Sequence, residues 1–127
     1  MSLANKNAIG NYTVGVKKSL IGAKVVNPQG EDLGKVEDVV VDSRDYAIAY
    51  AILSFDTFLG MGGKHFALPW GALQFNPAKH ELVLNIDKNR MKNAPGFAED
   101  DWPDMGDPSW AMRMHKYYDQ EPYWEKR

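Results

Sequence analysis

Between Lys24 and Ile86 the apolar residues fall into short runs, each closed by a cluster rich in Asn, Asp, Pro or Gly. Lys24-Val25-Val26-Asn27 is the first β-prone run. Asn27-Pro28-Gln29-Gly30 then carries type I turn chemistry, with Asn first, Pro second with its φ already set, and Gly fourth. Leu33 to Asp42 is the second strand, dominated by Val36, Val39, Val40 and Val41. Gly34 lies inside it, where a glycine marks a bulge, a bend or the close approach of another backbone. After the polar turn Asp42-Ser43-Arg44-Asp45, the stretch Ala47 to Phe55 alternates most clearly. Ile48, Tyr50 and Ile52 point one way; Ala47, Ala49, Ala51, Leu53 and Phe55 point the other. Both faces are apolar, which predicts a strand covered on both sides. Asp56 to Lys64 reads as a loop, His65 to Leu68 as a short strand stopped by Pro69, and Trp70 to Phe75 as another. Asn76-Pro77-Ala78-Lys79 repeats the Asn-Pro turn, and Leu82, Leu84 and Ile86 alternate in a last strand.

The texture then changes. Asp87 is placed to cap a short helical turn through Met91, which Asn93-Ala94-Pro95-Gly96 ends. Glu99 to Asp107 is acidic and irregular, and Asp107-Pro108 reads as an N-cap followed by an N1 proline. Trp110, Met114 and Tyr117 share one face of the helix that follows. The expected fold is all-β: a small closed or partly open barrel of about six strands with a C-terminal helical tail. Its expected divisions are a polar arm over 1–18, the barrel over 19–90, and an aromatic-rich helical extension over 91–127.

The 127 residues give room for one domain. The sequence contains no cysteine, which excludes disulfides, thiolate nucleophiles and Cys-ligated metals and favours a cytoplasmic location. Fifteen Lys and Arg stand against seventeen Asp and Glu, mixed along the chain. That balance argues against a nucleic-acid footprint and against a polybasic membrane-surface segment. No apolar run approaches the roughly 18 residues of a membrane helix, so no membrane insertion is expected. Met1 to Gly15 lacks the apolar centre of a signal peptide.

The runs described above resemble the PRC-barrel family. The resemblance is carried by Leu20-Ile21-Gly22, Val25, Gly30 and Leu33-Gly34-Lys35-Val36-Glu37-Asp38 with the valines to Asp42. It continues through Ala49-Tyr50-Ala51-Ile52-Leu53-Ser54-Phe55, Phe58-Leu59-Gly60, Lys64 and Phe66-Ala67-Leu68-Pro69-Trp70. Residues from Lys92 to Phe97, Trp102-Pro103 and the aromatic helix are similar to the tails of free-standing bacterial members. The resemblance implies a compact barrel of PRC type that contacts protein and catalyses nothing. Gly22, Gly30, Gly34, Pro69 and Trp70 would be its structural residues. Relatives include the cytoplasmic domain of the photosynthetic reaction-centre H subunit and the C-terminal domain of a ribosome-maturation factor. This sequence shows neither the membrane helix of the first nor the additional N-terminal domain of the second, so their partners do not transfer.

Candidate chemistry is sparse. Gly60-Met61-Gly62-Gly63-Lys64 could offer backbone N–H groups to an anion. A P-loop, however, needs another spacing and a following helix, whereas His65 and a strand follow here, so a hairpin loop explains it better. His65, His80 and His115 share no metal-ligand spacing. His80 and His115 read as surface residues and His65 as packed at a strand start. Glu99, Asp100, Asp101, Asp104 and Asp107 do not fit an EF-hand, and no serine sits in a nucleophile elbow. No catalytic residue, metal ligand or cofactor is therefore expected. The aromatic tail is more informative, because from Phe97 onward Trp102, Trp110, Tyr117, Tyr118, Tyr123 and Trp124 must cover something. That could be this barrel, a second copy or a foreign protein. Phe58, Leu59 and Met61 pose the same question at the loop tip, and with Trp102, Trp110, Met114, Tyr117 and Tyr118 they form the candidate interaction surface. A barrel this small is filled by its own side chains, which leaves its exterior for binding. The expected function is a non-enzymatic protein-interaction module that self-associates as a homodimer. The alternative is a small-molecule or anion sensor using the Gly60–Lys64 loop.

Overall fold

The structure is a computed structural model and describes residues 14–54 and 64–126. Seven strands form one sheet: β1 (Lys24–Val26), β2 (Asp32–Asp42), β3 (Ala47–Ser54), β4 (Lys64–Pro69), β5 (Leu73–Asn76), β6 (Glu81–Leu84) and β7 (Phe97–Ala98). The order across the sheet is β5-β6-β1-β2-β3-β4-β7. The β1–β6 pair is parallel and the other pairs are antiparallel. Among the described residues no ladder joins the outer strands β5 and β7, so the sheet is a partly open barrel. The seventh strand is two residues long and comes from the stretch after Gly96, where so short a run leaves no period to read. Two other segments depart from expectation. Trp70–Ala72 turns as a 3-10 helix before β5, and Val16–Leu20 forms a single π-helical turn. That turn is tied down where Gly22 N–H donates to the Val36 carbonyl at 2.8 Å.

Curvature comes from irregularities in the long strands. Register shifts fall between Val36 and Asp38 and between Val40 and Val41 in the β2–β3 ladder, and each bulge increases twist. Gly34 sits where the expected close approach occurs. Its φ is +127°, and a Cβ there would stand 2.3 Å from the Ser54 carbonyl oxygen. The Asn27–Gly30 turn closes with Gly30 N–H donating to the Asn27 carbonyl at 2.9 Å. The Asn27 side chain is buried and does more than start a turn. Its Nδ2 donates to the Ile86 carbonyl at 3.2 Å, which ties the turn after β1 to the chain just beyond β6.

The sheet is covered on both faces, as the pattern of β3 predicts. On the concave side Val25, Leu33, Ala51, Leu53, Phe66, Leu68 and Leu82 are almost wholly removed from water and fill the interior. On the other side Tyr50, Ile52 and Ala67 pack against Met114 of the tail. Ala49 joins this outer group rather than following Ala51 inward. It is the extra β3 residue between the Tyr50–Val40 and Ile48–Val41 pairs, and a bulge re-aims its side chain.

The tail consists of α1 (Lys88–Lys92) and α2 (Pro108–Tyr117). Asp87 caps α1 by accepting from Arg90 N–H at 2.7 Å, and Asp107 caps α2 by accepting from Ser109 N–H at 2.9 Å. The two helices are latched together. Arg90 Nη2 donates to the Tyr117 carbonyl and Tyr117 OH donates to the Arg90 carbonyl, both at 2.6 Å. His115 is buried, contrary to its reading as a surface residue. Its Nδ1 donates to the Ala111 carbonyl at 2.8 Å, and the Tyr50, Tyr123 and Trp124 rings stand 5.4–5.7 Å from its own. The chain after α2 folds back over it, a long-range fact that helix periodicity does not contain.

Candidate functional site

The interior is filled by side chains, so the concavities of interest lie on the outer face. A cleft of about 610 Å³ opens between the β2–β3 hairpin, the start of α2 and the 3-10 turn Tyr123–Lys126. Its volume falls in the range of ligand-binding clefts, roughly 300–1,000 Å³. Asp42, the last residue of β2, organises its polar side. The Asp42 side chain is only 9% exposed. Its Oδ1 accepts from Arg44 N–H and Arg44 Nε, both at 3.0 Å. Its Oδ2 accepts from Arg44 Nη2 at 2.7 Å and from Tyr123 OH at 2.8 Å. One carboxylate therefore fixes the hairpin turn and the C-terminal turn together, and charge-assisted bonds of this kind hold geometry well.

Tyr50 lines the same cleft and is 2% exposed. Its ring is met edge-on by Trp110 at 5.3 Å and by Tyr123 at 6.2 Å. Its hydroxyl is buried and has no hydrogen-bond partner among the described residues. Burial, helped by the neighbouring Tyr123, pushes this phenol above its ordinary pKa, so it stays neutral and can both donate and accept. Trp124 and Met105 add apolar wall.

The sequence pattern of the PRC-barrel domain matches residues 17–91, which covers β1 to β6 and most of α1. The chain belongs to the PRC-barrel family. No curated protein matches it. PRC-barrel domains are a non-catalytic family, and membership points to protein interaction in general. In this PRC-barrel protein the cleft is a joint construction. Asp42, Arg44 and Tyr50 come from within the matched barrel, while Met105, Tyr123 and Trp124 come from the tail outside it. No helix among the described residues is long and apolar enough to cross a membrane.

The structure scatters the residues expected from sequence to form an interaction surface. Trp110 and Met114 pack onto the outer face of β3, with Met114 buried against Tyr50 and Ile52. Tyr118 is buried in the interior group, and Tyr117 is half-buried beside it. These four are spent largely on their own chain. Trp102 is 41% exposed and leans on Phe97 at 5.1 Å, which in turn stacks on His65 at 5.9 Å. Phe58, Leu59 and Met61 lie outside the described residues. Of the Gly60–Lys64 loop only Lys64 is described, and its Nζ stands over the Phe66 ring at 5.3 Å. Asp104 and Asp107 of the acidic stretch accept from the Gly106 and Ser109 amides, which are local turn and cap bonds.

Sequence reasoning missed Asp42, Arg44, Tyr50 and Tyr123 as a group. Asp42 and Tyr123 meet across 81 positions, so no spacing links them. The available signals were the phenol of Tyr50 in the middle of an otherwise apolar strand and the presence of Tyr123 and Trp124 in the aromatic excess of the tail.

Proposed function

We propose that this PRC-barrel protein is a non-enzymatic protein-interaction module that works through its exterior and associates with itself as a homodimer in a reducing cytoplasm. The observation that carries the reading is the division of the molecule into a filled interior and a shaped outer face. The interior is occupied by its own Leu, Val and Phe side chains. The outer cleft combines aromatic walls, a fixed carboxylate hub and a buried hydroxyl with no partner among the described residues. Aromatic residues around a few placed polar groups are the composition of contact surfaces. The absence of cysteine supports the compartment.

Sedimentation velocity of the full chain, from about micromolar to several hundred micromolar in steps of roughly tenfold, tests the reading over the affinities expected of modest interfaces. The expected result is a shift from the mass of one chain to the mass of two. A single-chain mass throughout would overturn self-association.

A further inference from the structure

Past Tyr117 the chain reverses. The amides of Asp119 and Gln120 donate back to the carbonyls of Lys116 and His115 at 3.1 and 2.8 Å, and Asp119 takes a left-handed φ of 56°. Such a reversal is a common way to end a helix. The buried Pro122 follows, and then the four-residue 3-10 turn Tyr123–Lys126. Tyr123 and Trp124 meet the buried His115 ring at 5.7 and 5.4 Å, and Tyr123 meets the Tyr50 ring edge-on at 6.2 Å. The Tyr123 hydroxyl donates to the Asp42 carboxylate at 2.8 Å. One short turn thus reaches from α2 to the end of β2 and covers Tyr50 on the outer face of β3.

The closed arrangement contains two opposed terms. The Tyr123–Asp42 bond is charge-assisted and favours closure, as do the ring contacts. Against them stands the Tyr50 hydroxyl, which is buried with no hydrogen-bond partner among the described residues. A hydroxyl in that position forfeits the hydrogen bonds it makes in water. Tyr123 lies near enough to help hold the Tyr50 phenol neutral, yet gives its own proton to Asp42. Tyr50 and Tyr123 both line the outer cleft, so lifting Tyr123 joins the space over Tyr50 to that cleft and its water. Tyr123 and Trp124 are only half-buried, so lifting them gives up a modest apolar area. A short segment near a chain end, with little buried surface and a desolvated group beneath it, belongs to the parts of a fold that open locally.

We propose that the turn Tyr123–Lys126 is a strap that opens and closes over the outer face of β3, latched by the Tyr123 hydroxyl on Asp42 and biased toward opening by the desolvated hydroxyl of Tyr50. Its hinge is the stretch 118–122, reversed at Asp119. Asp42 keeps its place in both positions, because Arg44 Nε and Nη2 hold it from its own hairpin. Closed, the strap hides Tyr50 and His115. Open, it shows a phenol and an imidazole beside the Trp110 ring, an aromatic face with hydrogen-bonding tips. The strap therefore sets what the outer face offers to solvent. The device stands whether the chain pairs with itself or with another protein.

Two substitutions that each delete one oxygen push the balance in opposite directions. Tyr123→Phe removes the latch hydroxyl and keeps its ring; Tyr50→Phe removes the desolvated hydroxyl and keeps its ring. The readout is the rate at which diethyl pyrocarbonate modifies His115 in the full chain, followed by peptide mass spectrometry, because His115 is buried under Tyr123 and Trp124. His65, buried at the start of β4, reports opening of the whole fold in the same sample. Tyr123→Phe is expected to speed the reaction at His115 about tenfold and Tyr50→Phe to slow it by about as much, each roughly the effect of one hydrogen-bonding group. The rate at His65 should stay the same. A rate at His115 in Tyr50→Phe equal to or above that of the wild type would overturn the strap, whatever Tyr123→Phe does to the fold. Parallel changes at His65 would overturn it too, since the whole molecule would then be opening.

Discussion

At the scale of single residues, two phenols shape the account. Tyr118, like Tyr50, is buried with no hydrogen-bond partner for its hydroxyl among the described residues. An unsatisfied buried hydroxyl costs stability, so Tyr118→Phe is expected to hold or raise stability near neutral pH, by up to about 1 kcal/mol. Burial, with Tyr117 nearby, pushes the Tyr118 phenol above the ordinary value of 10, and Arg90 offsets this in part. The folded chain thus keeps a proton that the unfolded chain releases, and stability falls as pH rises above about 10. Urea melts at pH 7 and pH 11 check this; Tyr118→Phe should lose less stability between them than the wild type. Gly34 was legible in the sequence because a glycine inside a valine-rich strand has few explanations. The Asp42–Tyr123 bond was not, since nothing local joins residues so far apart.

At the scale of elements, caps and faces were readable and destinations were not. Asp107-Pro108 announced α2 because N-capping is a local exchange between a carboxylate and amides two or three residues on. The shared face of Trp110, Met114 and Tyr117 was equally plain from the 3.6-residue period. That Trp110 and Met114 close over the outer side of β3 while Tyr117 turns to α1 and the interior group depends on how the irregular stretch from Glu99 to Asp107 is routed. No pattern encodes that route. The cap gives a prediction at this scale. Bonds from the Ser109 hydroxyl and amide hold the Asp107 carboxyl below its ordinary pKa of 3.8. Its stabilisation is therefore complete above that pH and fades as pH falls through the lowered value. Asp107→Ala should lower the melting temperature by a few degrees at pH 7, roughly the effect of losing one N-cap in a domain of this size. The gap between variant and wild type should narrow as the pH falls below 3.8. An equal melting temperature at pH 7 would show that α2 is held by packing alone.

At the scale of the whole molecule, the barrel is a frame completed by its tail. Met91, Ala94 and Tyr118 enter the interior group, and Met114 seals the opposite side of the sheet. The barrel class was legible because turn chemistry recurs at short intervals between β-prone runs. The opening between β5 and β7, and the cleft built from barrel and tail together, were not, because both are set by contacts distant in sequence. We propose that this PRC-barrel protein meets its partner, a second copy, through its exterior. Amide hydrogen exchange of the full chain, compared between dilute and concentrated solution, tests it most directly. The expected result is slower exchange on concentration in one contiguous patch of exposed amides, with the buried Ala51 and Leu53 unchanged. Equal exchange at every amide in dilute and concentrated solution would contradict it.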